Sequence, residues 1–249
     1  MGAFSYSTVL LLWALLGLAA AVGLFFTPAP YGRHERRGWG PRVDSTVGWV
    51  LMEATAVLVL PAVFFAAGRR DAVSWVFLAL WELHYLHRAF VFPFRRASPR
   101  RTPWAIVGMA LAFNVVNGVL NGAYLFALAP PYAADWLWRP RFLAGLAVFL
   151  GGMALNVDSD NRLLRLRRRS EGYAVPHGGG FRWVSCPNYL GEIVEWTGFA
   201  IATASPAAWV FAWWTLANLA PRARSHHRWY RERFADYPAT RRALVPFVW

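Results

Sequence analysis

Residues 188–196 read NYLGEIVEW. Glu192 and Glu195 stand three apart, so on a helix both carboxylates share one face. The apolar run from Phe199 to Thr203 sets that face inside a greasy segment. Carboxylates placed so can accept hydrogen bonds from a polar ligand, or they can pair with buried donors and hold helices together. The same choice recurs along the chain. Glu53 stands inside GWVLMEATAVLVL, and Glu82, His84, Tyr85, His87 and Arg88 stand inside WELHYLHRAF. One further apolar segment holds Asn114, Asn117 and Asn121. The NVDSDN stretch adds Asn156, Asp158 and Asp160, and RARSHHRWY follows the last apolar run.

The elements that must position these groups are membrane spans. Of 249 residues 57% are hydrophobic, 15 are Trp and only 16% are charged, where a soluble domain carries about 25%. Windows of about 20 apolar residues, enough to cross about 30 Å of hydrocarbon, recur along the chain. They predict an all-α membrane protein, a bundle of seven spans over 8–26, 48–67, 72–92, 104–128, 142–157, 189–204 and 207–220, with short loops. The first is expected to be a span rather than a signal peptide, since no basic region precedes it and its apolar run is too long. No repeat, linker or compositional break divides the chain, so 1–249 is expected to be a single domain.

All 26 basic residues are arginine, a compositional mark of a GC-rich genome. That points to a bacterial inner membrane, or the endoplasmic reticulum in a eukaryote. Assigned to alternate sides by loop order, 21 arginines fall on one side and 4 on the other, with Arg88 inside a span. The basic side faces the cytoplasm, which puts the N-terminus outside and the C-terminus inside. Because the charge alternates with the loops, it does not mark a nucleic-acid surface. The lone cysteine, Cys186, excludes an internal disulfide and a Cys-rich metal site. Six histidines, two of them (His34 and His177) in loops, are too few for a histidine-box metal centre, so no metal is expected.

An ionisable group inside a span is costly and points into the protein. Buried acids paired with arginines or amides would account for single residues. Five segments each contribute polar groups, more than cohesion requires, and they predict a polar chamber near the cytoplasmic ends of the spans. Its arginines and amides suit an anionic ligand, above all one with phosphates. No GxGxxG follows a strand and no phosphate-binding loop is present, so a nucleotide would be held without a Rossmann domain. HGGGF at 177–181 reads as a tight turn.

LHYLHRAFVF (83–92), NGVLNGAY (117–124), NVDSDNRLLRLR (156–167), the YxxPxGGxF frame at 173–181, NYLGEIVEWTGFA (188–200) and SHHRWYRERFADYPATRRALVPFVW (225–249) resemble, in order, the steroid 5α-reductase family. The likeness runs from about residue 45 to 249 and is most specific over the last 90 residues. It implies a seven-helix NADPH-dependent oxidoreductase that reduces the Δ4 double bond of a 3-oxo-steroid. The family's catalytic pair falls on Glu53 and Tyr85. Its cofactor positions fall on Asn117, Asn156, Asp160, Arg167, Tyr173, Asn188, Glu192, Arg222, His226 and Tyr230. The N-terminal spans would then form the substrate pocket, and roughly 156–249 most of the cofactor site. The chain departs from the vertebrate members at Met52, Ala54, Thr55, Phe92, Ala174 and Ser225, which bears on substrate choice and leaves the catalytic pair in place.

Such chemistry needs a hydride donor at the enone β-carbon, a hydrogen-bond donor at the carbonyl oxygen, and a dry site. Tyr85 can supply that bond, worth roughly 3–4 kcal/mol to a developing enolate. Glu53, deep in a span, is expected neutral or hydrogen-bonded, and so able to be a second donor. The implied partners are a steroid or another lipophilic enone and membrane lipid, with the protein a monomer. A trans-2-enoyl thioester reductase of lipid synthesis is the alternative within the wider family. A methyltransferase acting on isoprenylcysteine or phospholipid is more distant, and it would have no use for Glu53 with Tyr85. A transporter or receptor would fit seven spans but not the C-terminal motif.

Overall fold

The computed structural model describes residues 5–28, 34, 36, 38–96, 101–170 and 172–249; of the arginines counted above, Arg33, Arg37 and Arg100 lie outside them. The described chain is helical: α1 (Tyr6–Phe26), α2 (Ser45–Ala67), α3 (Ala72–Leu86), α4 (Phe92–Arg95), α5 (Trp104–Ala123), α6 (Pro140–Arg169), α7 (Pro187–Thr203) and α8 (Pro206–Arg233). A π-helical turn, His87–Val91, joins α3 to α4, and another, Tyr124–Leu128, extends α5. The seven expected apolar segments fall on helix, except that 189–204 runs one residue past α7 to Ala204 and 72–92 is shared among α3, a π turn and α4. Among the described residues four helices are long and apolar enough to cross a membrane: α1, α2, α5 with its π turn, and α6. The shorter α3 and α7, of 15 and 17 residues, carry acids in their interiors, α3 with His84 besides, and α8 ends in arginines.

The chain divides into two compact units. One holds residues 30–143 and 201–208. In it two three-residue strands, β1 (Arg42–Asp44) and β2 (Arg101–Pro103), pair antiparallel and lead into α2 and α5. Asp44 starts α2: its Oδ1 accepts from the backbone N–H of Thr46 and Val47 at 2.8 and 3.1 Å, which holds its carboxyl below the usual range. α2 and α5 run side by side in the same direction. A Cβ on Gly118 would stand 2.7 Å from Val59, and one on Gly122 2.8 Å from Val63, so the two glycines let the helices close.

Helix ends carry carbonyls with no partner in the helix, and arginine and aromatic donors satisfy them here. Arg69 donates to the carbonyls of Leu125 and Ala129 at 3.0 and 2.8 Å. Arg70 donates to those of Phe64 and Phe65 at 2.8 and 2.9 Å. The carbonyls of Thr203, Ala202 and Ile201 receive Tyr132 Oη (2.6 Å), Trp136 Nε1 (3.0 Å) and Arg141 Nε (3.2 Å). Burial pushes the Tyr132 phenol up, so it stays the donor. The few arginines outside the basic loops are thus largely capping groups.

The other unit holds residues 1–29, 144–200 and 209–249. In it α1 lies against α8: Trp213 and Trp214 donate their indole N–H to the carbonyls of Ala14 and Trp13 at 3.1 and 3.0 Å. α6 and α7 pack antiparallel with their backbones in contact. A Cβ on Gly152 would meet the Glu195 nitrogen at 2.3 Å, one on Gly191 the Asn156 nitrogen at 2.5 Å, and one on Gly198 the Phe149 nitrogen at 2.2 Å. Beside this seam Phe149, Trp196, Phe199 and Phe211 pack edge to face as a buried aromatic cluster.

Candidate active site

In the unit built on α2, α3 and α5, Glu53 and Tyr85 are fixed in height by two bonds that cross between helices. Trp81 Nε1 donates to the carbonyl of Ala56 at 3.2 Å, and Trp49 Nε1 to that of Arg88 at 3.0 Å. These pairings make α2 and α3 antiparallel, with Glu53 and Tyr85 between the two bonds. Glu53 stands three residues from Ala56 and Tyr85 four from Trp81, on the same side of that bond. Tyr85 is buried, its ring 4.9 Å from Trp81 and 5.0 Å from His84; Glu53 is half-buried. Asn114 Nδ2 donates at 2.7 Å to the carbonyl of Met52, beside Glu53.

Asn117 is buried one turn further along α5 and donates to its own helix at the carbonyl of Phe113, 2.8 Å. Asn121 in turn donates to the carbonyl of Asn117 at 3.0 Å, leaving its Oδ1 buried without a partner among the described residues. Glu82, on the same helix as Tyr85, keeps a buried Oε1 that likewise has none.

The second constellation is built on α6, α7 and α8. The glycine seam brings four of the expected positions together. Asn156 Nδ2 donates to the carbonyl of Asn188 at 2.9 Å and lies 3.5 Å from Glu192 Oε2, and Asn188 Nδ2 donates to Asp160 Oδ1 at 3.1 Å. Asn156 and Asp160 are buried, Asn188 and Glu192 half-buried. Next to them Tyr189 Oη and His226 Nε2 are 3.1 Å apart, and the Arg222 guanidinium lies 5.6 Å from the Tyr189 ring. Arg167 lies 6.0 Å over Tyr173, which packs on Trp229 at 4.9 Å. Tyr230 is buried and stacks on Tyr237 at 5.4 Å with the rings 9° from parallel. Glu195 is fully buried on α7, along the face that meets α6. The glycine-rich stretch forms a turn with positive φ at Gly178 and Gly179, seated over Arg162 and Asp158, themselves paired at 2.7 Å.

One cluster escaped the sequence reading. Ser185 Oγ lies 2.6 Å from both His227 Nδ1 and Tyr237 Oη and 3.1 Å from the carbonyl of Arg242. It clamps the start of α7 to the end of α8 and to the segment after it. There the Ser185 and Cys186 N–H groups bond the carbonyls of Arg242 and Ala243. Burial, then Arg231, Arg241 and Arg242, lowers the pKa of His227, while burial raises that of Tyr237, so both are neutral at neutral pH. Arg241 lies buried beside them, its guanidinium 5.0 Å over the Tyr237 ring. The partners of Ser185 lie 42 and 52 residues away in the chain, and no local spacing announces them.

Alternating amide donors and carboxylate acceptors, with arginines and aromatic faces beside them, suit a nucleotide: hydroxyls and a carboxamide find both kinds of partner, and phosphates find guanidinium. Residues 100–249 match the family model described as 3-oxo-5-alpha-steroid 4-dehydrogenase. The chain is 39% identical over 257 residues to the steroid 5-alpha-reductase DET2 of Arabidopsis thaliana, covering 99% of this chain and 97% of that one. The chain belongs to the steroid 5-alpha-reductase family. Two animal members agree over nearly the whole length. The 3-oxo-5-alpha-steroid 4-dehydrogenase 1 of Mus musculus is 41% identical over 240 residues (94% of this chain, 92% of that one), and that of Homo sapiens 38% over 249 (96% and 95%). For a steroid 5-alpha-reductase family member both constellations fall in regions of the chain that these relatives share.

Proposed function

We propose that the protein reduces the Δ4 double bond of a 3-oxo-steroid, or a closely similar lipophilic enone, to the 5α-dihydro product with NADPH. Family membership makes it an oxidoreductase acting on CH–CH groups. The observation that supports the substrate chemistry is that Glu53 and Tyr85 lie on antiparallel helices between the two bonds that join them, with the tyrosine buried.

Tyr85 donates its phenolic hydrogen to the C3 carbonyl oxygen, where negative charge develops, and Glu53 in its neutral form is the second donor. Their setting among Trp81, His84 and Trp49 keeps water from that oxygen. NADPH, when bound, supplies the hydride that C5 receives. The donor set of Asn156, Asp160, Asn188 and Glu192 fits its ribose and amide groups, with Glu192 accepting. Arg167 and Arg222 meet its phosphates, and Tyr173, His226 and Tyr230 complete the walls. The apolar N-terminal spans receive the steroid from the bilayer. The N-terminus lies on the outer face and the Arg-rich loops in the cytoplasm.

The test is purified protein in detergent with NADPH and testosterone or progesterone, run beside an enoyl-CoA. Reduction of the steroid alone supports the reading, and reduction of the thioester alone replaces it. Tyr85→Phe is expected to leave cofactor binding intact and to cut turnover by about 100- to 1000-fold, the effect of losing one donor at a developing oxyanion. Unchanged turnover removes Tyr85 from the chemistry.

A further inference from the structure

The segment after Ala243 presents its apolar side chains outward. Leu244 is the last residue to point in, packing on Cys186 and Ala223. The chain then closes on itself: the Leu244 and Val245 N–H groups donate to the carbonyl of Trp249 at 2.9 and 2.6 Å, and the Trp249 N–H returns to that of Val245 at 3.0 Å. Within this turn Phe247 takes φ 64°, a left-handed conformation that a bulky L-residue rarely adopts. The strained residue is 78% exposed, its neighbour Val248 76%, with Val245 and Trp249 also exposed. Turns in water carry Gly, Asn, Asp and Ser; this one holds a phenylalanine in strain and shows it to the surroundings.

Its surroundings are set by α1. The Trp249 ring lies 6.5 Å from that of Phe25, and the Arg224 guanidinium 5.7 Å over the same ring. Phe25 and Phe26 end a helix of 21 residues, about 31 Å long at 1.5 Å per residue, against about 30 Å of hydrocarbon. A helix of that length that crosses the bilayer puts its end, and the turn touching it, at the boundary between acyl chains and headgroups. Tryptophan prefers that depth, and arginine stems reach through it to keep the charge wet. The charges fit as well. Arg182, Arg224 and Arg242 are exposed, and the backbone of Arg242 is bonded to that of Trp183, itself exposed.

We propose that residues 245–249 are an interfacial membrane anchor, inserted among acidic lipid headgroups beside the end of α1. Phe247 and Val248 enter the upper acyl region, while Arg182, Arg224 and Arg242 gather the acidic headgroups around them. The anchor holds down the segment that Ser185, His227 and Tyr237 clamp to the start of α7. The inference does not depend on the reductase reading.

The test uses the full chain in lipid nanodiscs, with Phe247→Cys carrying an environment-sensitive fluorophore. Native Cys186 is buried, and unmodified protein treated alike measures any labelling there. Thr240→Cys, at an exposed site three residues before Ala243, is the reference. Nitroxide quenchers are placed on a shallow acyl carbon of either phosphatidylglycerol or phosphatidylcholine. The expected result is a blue-shifted, quenched probe at 247, an aqueous one at 240, and stronger quenching from phosphatidylglycerol. Arg182→Gln with Arg242→Gln should reduce that lipid preference about fivefold per arginine. An aqueous, unquenched probe at 247 overturns the proposal, as does equal quenching by the two lipids. A probe shielded from water yet untouched by lipid nitroxides also overturns it, and assigns the turn to a second copy of the chain.

Discussion

Gly191→Ala adds one methyl group where no side chain can yield. Its Cβ would stand 2.5 Å from the Asn156 nitrogen, 2.7 Å from the Gly152 carbonyl oxygen and 2.9 Å from the Asn156 Cα. All three are backbone atoms of α6, so relief requires the helices to part. Ordinary contact begins near 3.4 Å, so α6 and α7 must separate by about 0.9 Å at this point. Overpacking of this kind costs about 1–3 kcal/mol, against which alanine returns about 1 kcal/mol of helix propensity. The separation also opens the site. The bond from Asn156 Nδ2 to the Asn188 carbonyl stretches from 2.9 Å beyond hydrogen-bonding range, and that from Asn188 to Asp160 starts at 3.1 Å. Each such bond is worth about 1 kcal/mol of stability, so losing the pair takes roughly a further 2 kcal/mol from the fold and is expected to weaken the hold on NADPH by displacing Asn156 from Asn188.

The internal control is Gly151→Ala, because a Cβ at Gly151 meets nothing within 4 Å and should gain the propensity without the clash. Thermal unfolding in detergent and NADPH titration by nicotinamide fluorescence read the two effects. Gly191→Ala should melt several degrees below wild type, by about 2–4 °C per kcal/mol, and Gly151→Ala at or above it. If Gly191→Ala melts with Gly151→Ala and binds NADPH like the wild type, the backbone seam does not set the geometry of the site.

Three further outcomes follow from the same contacts. Glu192→Ala removes the half-buried acceptor beside Asn156 and should weaken NADPH binding about tenfold in titration, while turnover at saturating cofactor changes less; unaltered affinity refutes its role. His227 has a lowered pKa in the fold, whereas in the unfolded chain it takes its proton near pH 6.5. Between the two values the unfolded chain binds more protons. The contribution to stability is therefore complete above about pH 6.5 and lost as pH falls through the folded value. Wild type should lose more of its melting temperature than His227→Gln between about pH 7.5 and about pH 5, and equal slopes would show that His227 does not titrate in the clamp. Tyr132→Phe strips the 2.6 Å bond from the carbonyl of Thr203 and should cost about 1–3 kcal/mol if that carbonyl is left dry, read as a lower melting temperature with unchanged KM for steroid.

The helices were legible because apolar windows of span length need no partner to be recognised, and the expected segments fall on helix to within a residue. The boundaries were less so. α6 runs on to Arg169, since NRLLRLRRR keeps helical propensity after its hydrophobicity ends. The strands β1 and β2 left no trace in the sequence, because a three-residue strand is defined by its partner: Val43 opposes Thr102, 59 residues on. The π turns after Leu86 and Ala123 are likewise features of backbone packing, with no composition of their own.

The candidate site shows the same division. Acids and amides in greasy segments stand out because burying them unpaired is costly, so Asn156, Asp160, Asn188 and Glu192 could be selected one by one. What brings them together could not be read, because it consists of missing atoms. Gly151 and Gly152 are neighbours and look alike in sequence. A methyl at the first meets nothing, while at the second it would stand 2.3 Å from the backbone of Glu195. Only a helix path that puts Gly152 against α7, and Gly191 against α6, decides which glycine matters. The bond from Asn156 to the Asn188 carbonyl is short because no Cβ intervenes at Gly152 or Gly191. The polar constellation is in this sense a consequence of apolar packing: the seam sets how closely α6 and α7 approach, and that distance determines whether two asparagines on different helices can share one ligand.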